Sequence, residues 1–181
     1  MSSQNFSDAD IAGFVRMLID YIHAQRDRYL PLASPLTAEQ TNVLQPFFPS
    51  AILEQTRVVI RDREPITNPP IITEFRSRGF DLAPDLNHLN VVSFLEVQTL
   101  HHVSDRALFH GLVHTIQGHV IGVERCLELN IRSFLKTGRH VTIPLFVHAF
   151  HLDHRFAHSP ADTFSVEDEV RTWFTSGRYD P

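Results

Sequence analysis

The sequence predicts an α+β fold, mostly helical with a small sheet, and three observations carry that prediction. Apolar residues recur at helical spacing over long stretches in both halves of the chain. Serine, threonine, proline and glycine stand where such stretches begin and end. Only two short β-branched runs, 57–60 and 91–97, read as strands.

Ser7 is the expected N-cap of a first helix over 8–29, with Asp8 and Asp10 in its first turn and Ile11, Phe14, Val15, Leu18, Ile19 and Ile22 at helical spacing. Thr37 opens a short second helix that stops near Pro46–Pro49. The run Glu64-Pro-Ile-Thr-Asn-Pro-Pro70 is too proline-rich for regular structure and reads as a stiff loop. Residues 71–88 hold a helical turn and irregular connections around Gly79 and Pro84. Ser104-Asp105 caps a helix running to about 119, and another follows over 123–136, closed by Gly138. Pro144 suits the first turn of a helix ending near 157, before Pro160. Ser165 with Asp168 resembles a capping box for a last helix over 166–175. The chain reads as one domain over 1–181, divided into N-terminal helices, loop and strand (1–90) and a strand with the motif helices (91–175).

Composition narrows function. Hydrophobic residues are 43% and charged residues 20%, as in ordinary globular proteins, and the formal net charge is −5 with no Lys/Arg run. Nucleic-acid binding is therefore not expected. The first residues lack a basic segment followed by an apolar run, so no signal peptide is expected, and no stretch is long and apolar enough for a membrane span. The single cysteine, Cys126, excludes an internal disulfide and reads as a core residue; a cytoplasmic protein is the expectation. Oligomeric state is left open. Histidine is the anomaly. Ten of the twelve lie between His101 and His158, where an even spread would place about four.

Within that window, His110-Gly-Leu-Val-His114 places two imidazoles four residues apart on one helix face, the geometry a metal needs from its first two ligands. Gln117 joins them a turn later. Leu112, Val113, Ile116 and Val120 form a core stripe, while Gly111, Thr115 and Gly118 leave a smooth face open to close approach. In the zinc-hydrolase motif H-E-x-x-H the residue after the first histidine is the general base. Here it is Gly111.

Phe109-His-Gly-Leu-Val-His-Thr-Ile-Gln117, then Thr137-Gly-Arg-His140, Ile143-Pro-Leu-Phe-Val-His-Ala-Phe150, Arg155-Phe156 and Phe164-Ser-Val-Glu167, resembles a family of small bacterial zincin-like proteins. Its pattern is F-H-E-L-V-H-x-x-Q followed some thirty residues later by I-P-L-E, and the similarity covers roughly 90–170. The resemblance implies a zincin-like, metallopeptidase-like hydrolase domain. In it two histidines and a downstream glutamate bind zinc, the motif glutamate activates water, and a strand edges the cleft. Carried over, His110 and His114 match the first two ligands and the 91–97 strand matches the cleft edge.

This chain departs at two positions: Gly111 replaces the base and Phe146 the third ligand. Ordinary peptide hydrolysis is therefore not expected, because zinc sites supply three or four protein ligands and the bound water needs an acceptor. His101, His102, His148 and Asp153 are the candidate substitutes for the third ligand. Asp153 returns to the face of Phe146 but lies about 10 Å further along its helix. His148, His151, His154 and His158 read otherwise as a solvated stripe. Glu96 is a candidate relocated base, Gln117 a support for a histidine, and Phe146 and Phe150 candidate walls of an apolar pocket; Tyr179 is left without a role. Three functions follow: a pseudoenzyme with a residual or remodelled site for one divalent metal, zinc first, with iron or copper as alternatives; a repurposed metal-dependent enzyme with a new third ligand; or a binding module whose apolar cleft takes a small molecule or peptide segment.

Overall fold

The computed structural model describes residues 6–62, 64–80, 85–159 and 161–181. Helices dominate and surround a small mixed sheet, as an α+β class requires. The N-terminal part holds α1 (Asp8–Tyr29), β1 (Ser34–Pro35), α2 (Ala38–Leu44), α3 (Ser50–Gln55), β2 (Arg57–Ile60) and α4 (Pro70–Ser77). A hairpin follows, β3 (Val91–Phe94) and β4 (Val97–Leu100). The helices α5 (Asp105–Ile121), α6 (Val123–Thr137), α7 (Pro144–His158) and α8 (Val166–Thr175) complete it.

Local chemistry explains most boundaries. Ser7 and Asp10 exchange side-chain and backbone hydrogen bonds as a capping box on α1, and Thr37 and Gln40 do the same on α2. Ser104 accepts from the Ala107 amide at the start of α5, and Ser165 from the Asp168 amide at the start of α8. Gly138 ends α6 at φ 70°, a left-handed turn that costs glycine little. Pro160 and residues 81–84, including Pro84, lie outside the described residues.

Two expectations are corrected. The proline-rich loop ends earlier than its composition suggests, because Pro70 occupies the first turn of α4, where its missing N–H costs nothing. The stretch 91–97 is not one strand. Leu95 turns to φ 57° and the chain reverses, so that β3 and β4 pair antiparallel with Ser93 opposite Gln98. The β-branched run was visible; the turn was not, because Leu-Glu carries no turn signature.

Sheet order is β1-β2-β4-β3, with β2 and β4 parallel and β3 at the edge. Strand period separates the hairpin's two faces. Phe94 and Val97 pack with Tyr29, Val59 and Ile66, and the Tyr29 and Phe94 rings lie stacked. Ser93 and Gln98 face α5. On its far side α5 meets α7 and α8 through a core in which Phe109 stacks on Phe156 at 4.3 Å, with Phe47 and Phe48 edge-on to it. Helix α5 is thus the floor between an edge strand and α7. Among the described residues no helix is long and apolar enough to cross a membrane.

Candidate functional site: two oriented imidazoles in a cleft

A cleft of about 820 Å³ runs along α5, walled by β3 on one side and α7 on the other. His110 and His114 lie on it, with ring centroids 5.0 Å apart and planes at 74°. Phe150 lies 4.7 Å from the His110 ring and Phe146 lies 5.0 Å from the His114 ring. Helices α5 and α7 run antiparallel here: Arg106 and His110 meet Asp153, His114 meets Phe146, and Gln117 meets Leu145.

Each imidazole is held through Nδ1. His110 Nδ1 lies 2.7 Å from Asp153 Oδ2, and an ionised carboxylate only accepts, so the ring donates. Asp153 Oδ1 accepts from Arg106 Nε at 3.0 Å and from Nη2 at 2.7 Å. Burial raises the Asp153 pKa, but the hydrogen bonds from His110 and Arg106 outweigh it and the net shift is downward. His114 Nδ1 lies 2.8 Å from Gln117 Oε1, while Gln117 Nε2 donates to the Leu145 carbonyl at 3.0 Å. That second bond fixes which end of the amide is oxygen, so His114 also donates from Nδ1. In the tautomer these bonds select, each ring keeps Nε2 as the lone-pair nitrogen. His114 Nε2 is buried without a hydrogen-bond partner. Burial, then the neighbouring His110, pushes the His114 pKa down to about 3, so it is neutral across the physiological range.

The position of the missing base is filled. A Cβ on Gly111 would collide with Gln98 Oε1 and lie 2.8 Å from Val91 Cγ2 and 3.1 Å from Ser93 Oγ. Gln98 is fully buried and held at both ends: Ser93 Oγ donates to its Oε1 at 2.6 Å and its Nε2 donates to Thr115 Oγ1 at 2.9 Å. Thr115 in turn donates to the Leu95 carbonyl at 3.2 Å. The smooth face of α5 is thus the seat of the β3–β4 hairpin, and the cleft begins beside it.

The candidate third ligands do not assemble. His101 Nε2 is 2.7 Å from the Asn87 carbonyl, and His102 is exposed. His148, read as a member of a solvated stripe or as a ligand, is fully buried on the opposite side of α7. It stacks on Trp173 at 3.9 Å, and its Nδ1 lies 2.5 Å from the Tyr179 hydroxyl. His151, His154 and His158 are exposed. Asp153 supports His110 through Nδ1 instead of standing beside Nε2, as its 10 Å offset along α7 from Phe146 implied. Glu96 sits in the turn between β3 and β4, bound by Arg26 at 2.5 Å. Cys126 is half-buried against the core, with burial raising its pKa to about 12. Sequence reasoning missed the roles of Gln98 and Tyr179; the one cue to Gln98 was the small-residue face it covers.

His148 gives a testable pH dependence. Burial, then His151 and Arg178, lowers its pKa to about 4, so the folded protein resists a proton that the unfolded chain accepts near 6.5. Its contribution is complete above 6.5 and declines as pH falls towards 4, a loss on the order of 3 kcal/mol. His114, with its pKa lowered to about 3, adds a decline over the same window in both proteins, while Asp153, with its pKa lowered, acts at and below the ordinary carboxylate range. Urea unfolding between pH 7 and pH 4 is expected to show the decline, with a flatter profile for His148→Phe; identical profiles for both proteins contradict it.

His110 and His114 present two imidazoles with ring centres 5.0 Å apart, a spacing equally ordinary for rings packed edge to face. Among the described residues no group of three or more His, Cys, Asp or Glu side chains is gathered to hold an ion. No protein-family profile, curated protein or solved structure matches this chain.

Proposed function

We propose that this protein is a zincin-like pseudoenzyme that binds without hydrolysing peptides, with one divalent metal ion, zinc first, held by His110 and His114 in a remodelled site. The observation that carries the reading is the paired orientation of the rings. Asp153 and Gln117 each accept from an Nδ1, the arrangement by which metal-ligating histidines are fixed in the productive tautomer. Two rings oriented alike, one with a buried unpartnered Nε2, favour a retained site over a relic. A bound ion supplies a Lewis-acidic centre with positions left open for a ligand.

Absence of hydrolysis follows from the surroundings. Gln98 occupies the space a side chain at 111 requires, and Phe146 lies against His114 where the resemblance expects a carboxylate. The cleft's two carboxylates among the described residues are both committed, Glu96 to Arg26 and Asp153 to Arg106 and His110. Neither is free to deprotonate water. A second reading, a metal-free binding module for a small molecule or peptide segment, is favoured by the exposed Phe150 ring beside His110. The lone cysteine supports a cytoplasmic setting.

Zinc titration of chelator-dialysed protein, against a competing chromophoric chelator, tests the reading. One equivalent bound at micromolar affinity or weaker is expected, lost in His110→Ala and in His114→Ala, with no peptide cleavage. Retention in both variants, and loss in a His154→Ala/His158→Ala variant of the exposed pair, would falsify it.

A further inference from the structure

We propose that the cleft takes an uncharged apolar molecule with one hydroxyl, in its simplest form a medium-chain alcohol, which donates a hydrogen bond to His114 Nε2. The inference rests on the binding-module reading above and deepens it by assigning the chemical class of the ligand; the ion plays no part in it.

Charge is the first argument. Among the described residues the carboxylates and guanidinium that line the cleft are already paired, Asp153 with Arg106 and Glu96 with Arg26. Asp153 Oδ2 also takes the His110 proton. No acid is left to answer an ammonium, and the one cation is answered by Asp153. Bringing an unpaired charge out of water beside the Phe146 and Phe150 rings is costly, so an uncharged ligand is favoured.

Hydrogen bonding is the second. Gln117 Oε1 accepts from His114 Nδ1, so Nε2 is left to accept, and it is buried without a partner. Asn130 Oδ1, which lines the same cleft, is also buried without a partner. Both atoms are acceptors, and only a ligand that donates relieves an unpaired buried acceptor. A hydroxyl donates without carrying charge, whereas a carboxylate or an ether has no proton to give.

The walls define the rest of the ligand. Helix α5 lines the cleft from Arg106 to Gly118, a stretch about 18 Å long at its rise of 1.5 Å per residue. Phe146 and Phe150 stand on consecutive turns of α7, one beside each histidine, and the opposite wall carries Val91 on the edge strand. Phe150 is 48% exposed, an aromatic surface open to cover at the mouth of the site. At about 820 Å³ the trough is large enough for an extended alkyl chain behind the hydroxyl. Head and body are thus recognised separately: the imidazole reads the hydroxyl and the rings read the chain.

The test is selectivity, measured by calorimetric titration of the full chain in excess chelator, so that no metal takes part. Octanol, octanoate, octylamine and heptyl methyl ether share a chain of similar length and differ in the head. Octanol is expected to bind at one equivalent with a Kd below about 1 mM. Octanoate and octylamine are expected to bind at least about tenfold more weakly, and the ether about threefold to tenfold more weakly for want of the donated bond. In long-range 1H–15N spectra octanol should move the His114 Nε2 resonance and leave those of His154 and His158 in place. Phe150→Ser, a change at a half-exposed position, is expected to weaken octanol at least about threefold. Octanoate or octylamine that binds as tightly as octanol overturns the proposal while leaving the binding-module reading intact, and assigns recognition to Arg106 or to the two carboxylates. An ether that matches octanol, or an unmoved His114 resonance, overturns the hydroxyl contact and with it the proposal. A cleft that takes none of the four also overturns it, whatever the zinc titration shows.

Discussion

Gly111→Glu, the change that rewrites the α5 motif as that of a hydrolase, is expected to lower the unfolding free energy by more than about 4 kcal/mol and to create no peptidase. The reason lies in the packing of α5 on the hairpin. A Cβ at 111 already collides with Gln98 Oε1 and crowds Val91 Cγ2 at 2.8 Å. Gln98 cannot swing aside cheaply, because it is fully buried and its amide is bonded to Ser93 and Thr115. A glutamate adds a carboxylate against Val91 and Ser93. Even Gly111→Ala is expected to cost about 1–2 kcal/mol, although alanine is the better helix former by roughly 1 kcal/mol. Removing the obstruction with Gln98→Ala should make the second substitution less costly than in the parent, a coupling of about 1 kcal/mol in a double-mutant cycle. Urea denaturation reads all four proteins. Phe146→Glu differs because Phe146 is only half-buried and lies on the cleft. It should fold and raise zinc affinity at least about tenfold by supplying a third ligand. A stably folded, hydrolytically active Gly111→Glu protein would mean that Gln98 does not sit where its hydrogen bonds place it.

Asp153→Asn carries the second large effect. An amide that keeps its oxygen towards Arg106 turns its NH2 towards His110, and a donor there requires Nδ1 to accept. The His110 proton then moves to Nε2, and the lone pair needed for a metal is lost. Zinc affinity is expected to fall by about 10- to 100-fold. Arg106→Gln is the control. It removes the outer cation, whose side chain is half-exposed, but leaves the carboxylate on His110, so its effect should be several-fold smaller. Equal losses in the two variants would assign the effect to the charge network and not to the tautomer.

The sequence made legible what depends on neighbours in the chain. Ser7, Ser104, Ser165, Pro144 and Gly138 mark helix ends because capping is local chemistry, and each does so in the fold. The shared face of His110, His114 and Gln117 follows from helical period alone, and Gln117 does bond His114. The offset of Asp153 from Phe146 was also readable, but not what that offset brings it to, since the partner lies on another helix. The rest was tertiary. Nothing in Val91-Val-Ser-Phe-Leu-Glu-Val97 announces a reversal at Leu95. Nor does Gln98, an ordinary strand residue, reveal that its amide fills the hollow beside Gly111. His148 shares its spacing with three exposed histidines, and only the arrival of Trp173 and Tyr179 on α7 makes it a core residue.

The most direct test of the account is the protonation of the two rings, read by long-range 1H–15N NMR on the metal-free protein near pH 7 and again with one equivalent of zinc. His110 and His114 are each expected to carry a proton on Nδ1, with His114 neutral. Zinc should then shift the Nε2 resonances of these two rings and of no other histidine. An Nδ1 without a proton on either ring, a proton on His114 Nε2, or zinc shifts confined to His154 and His158, would contradict the account.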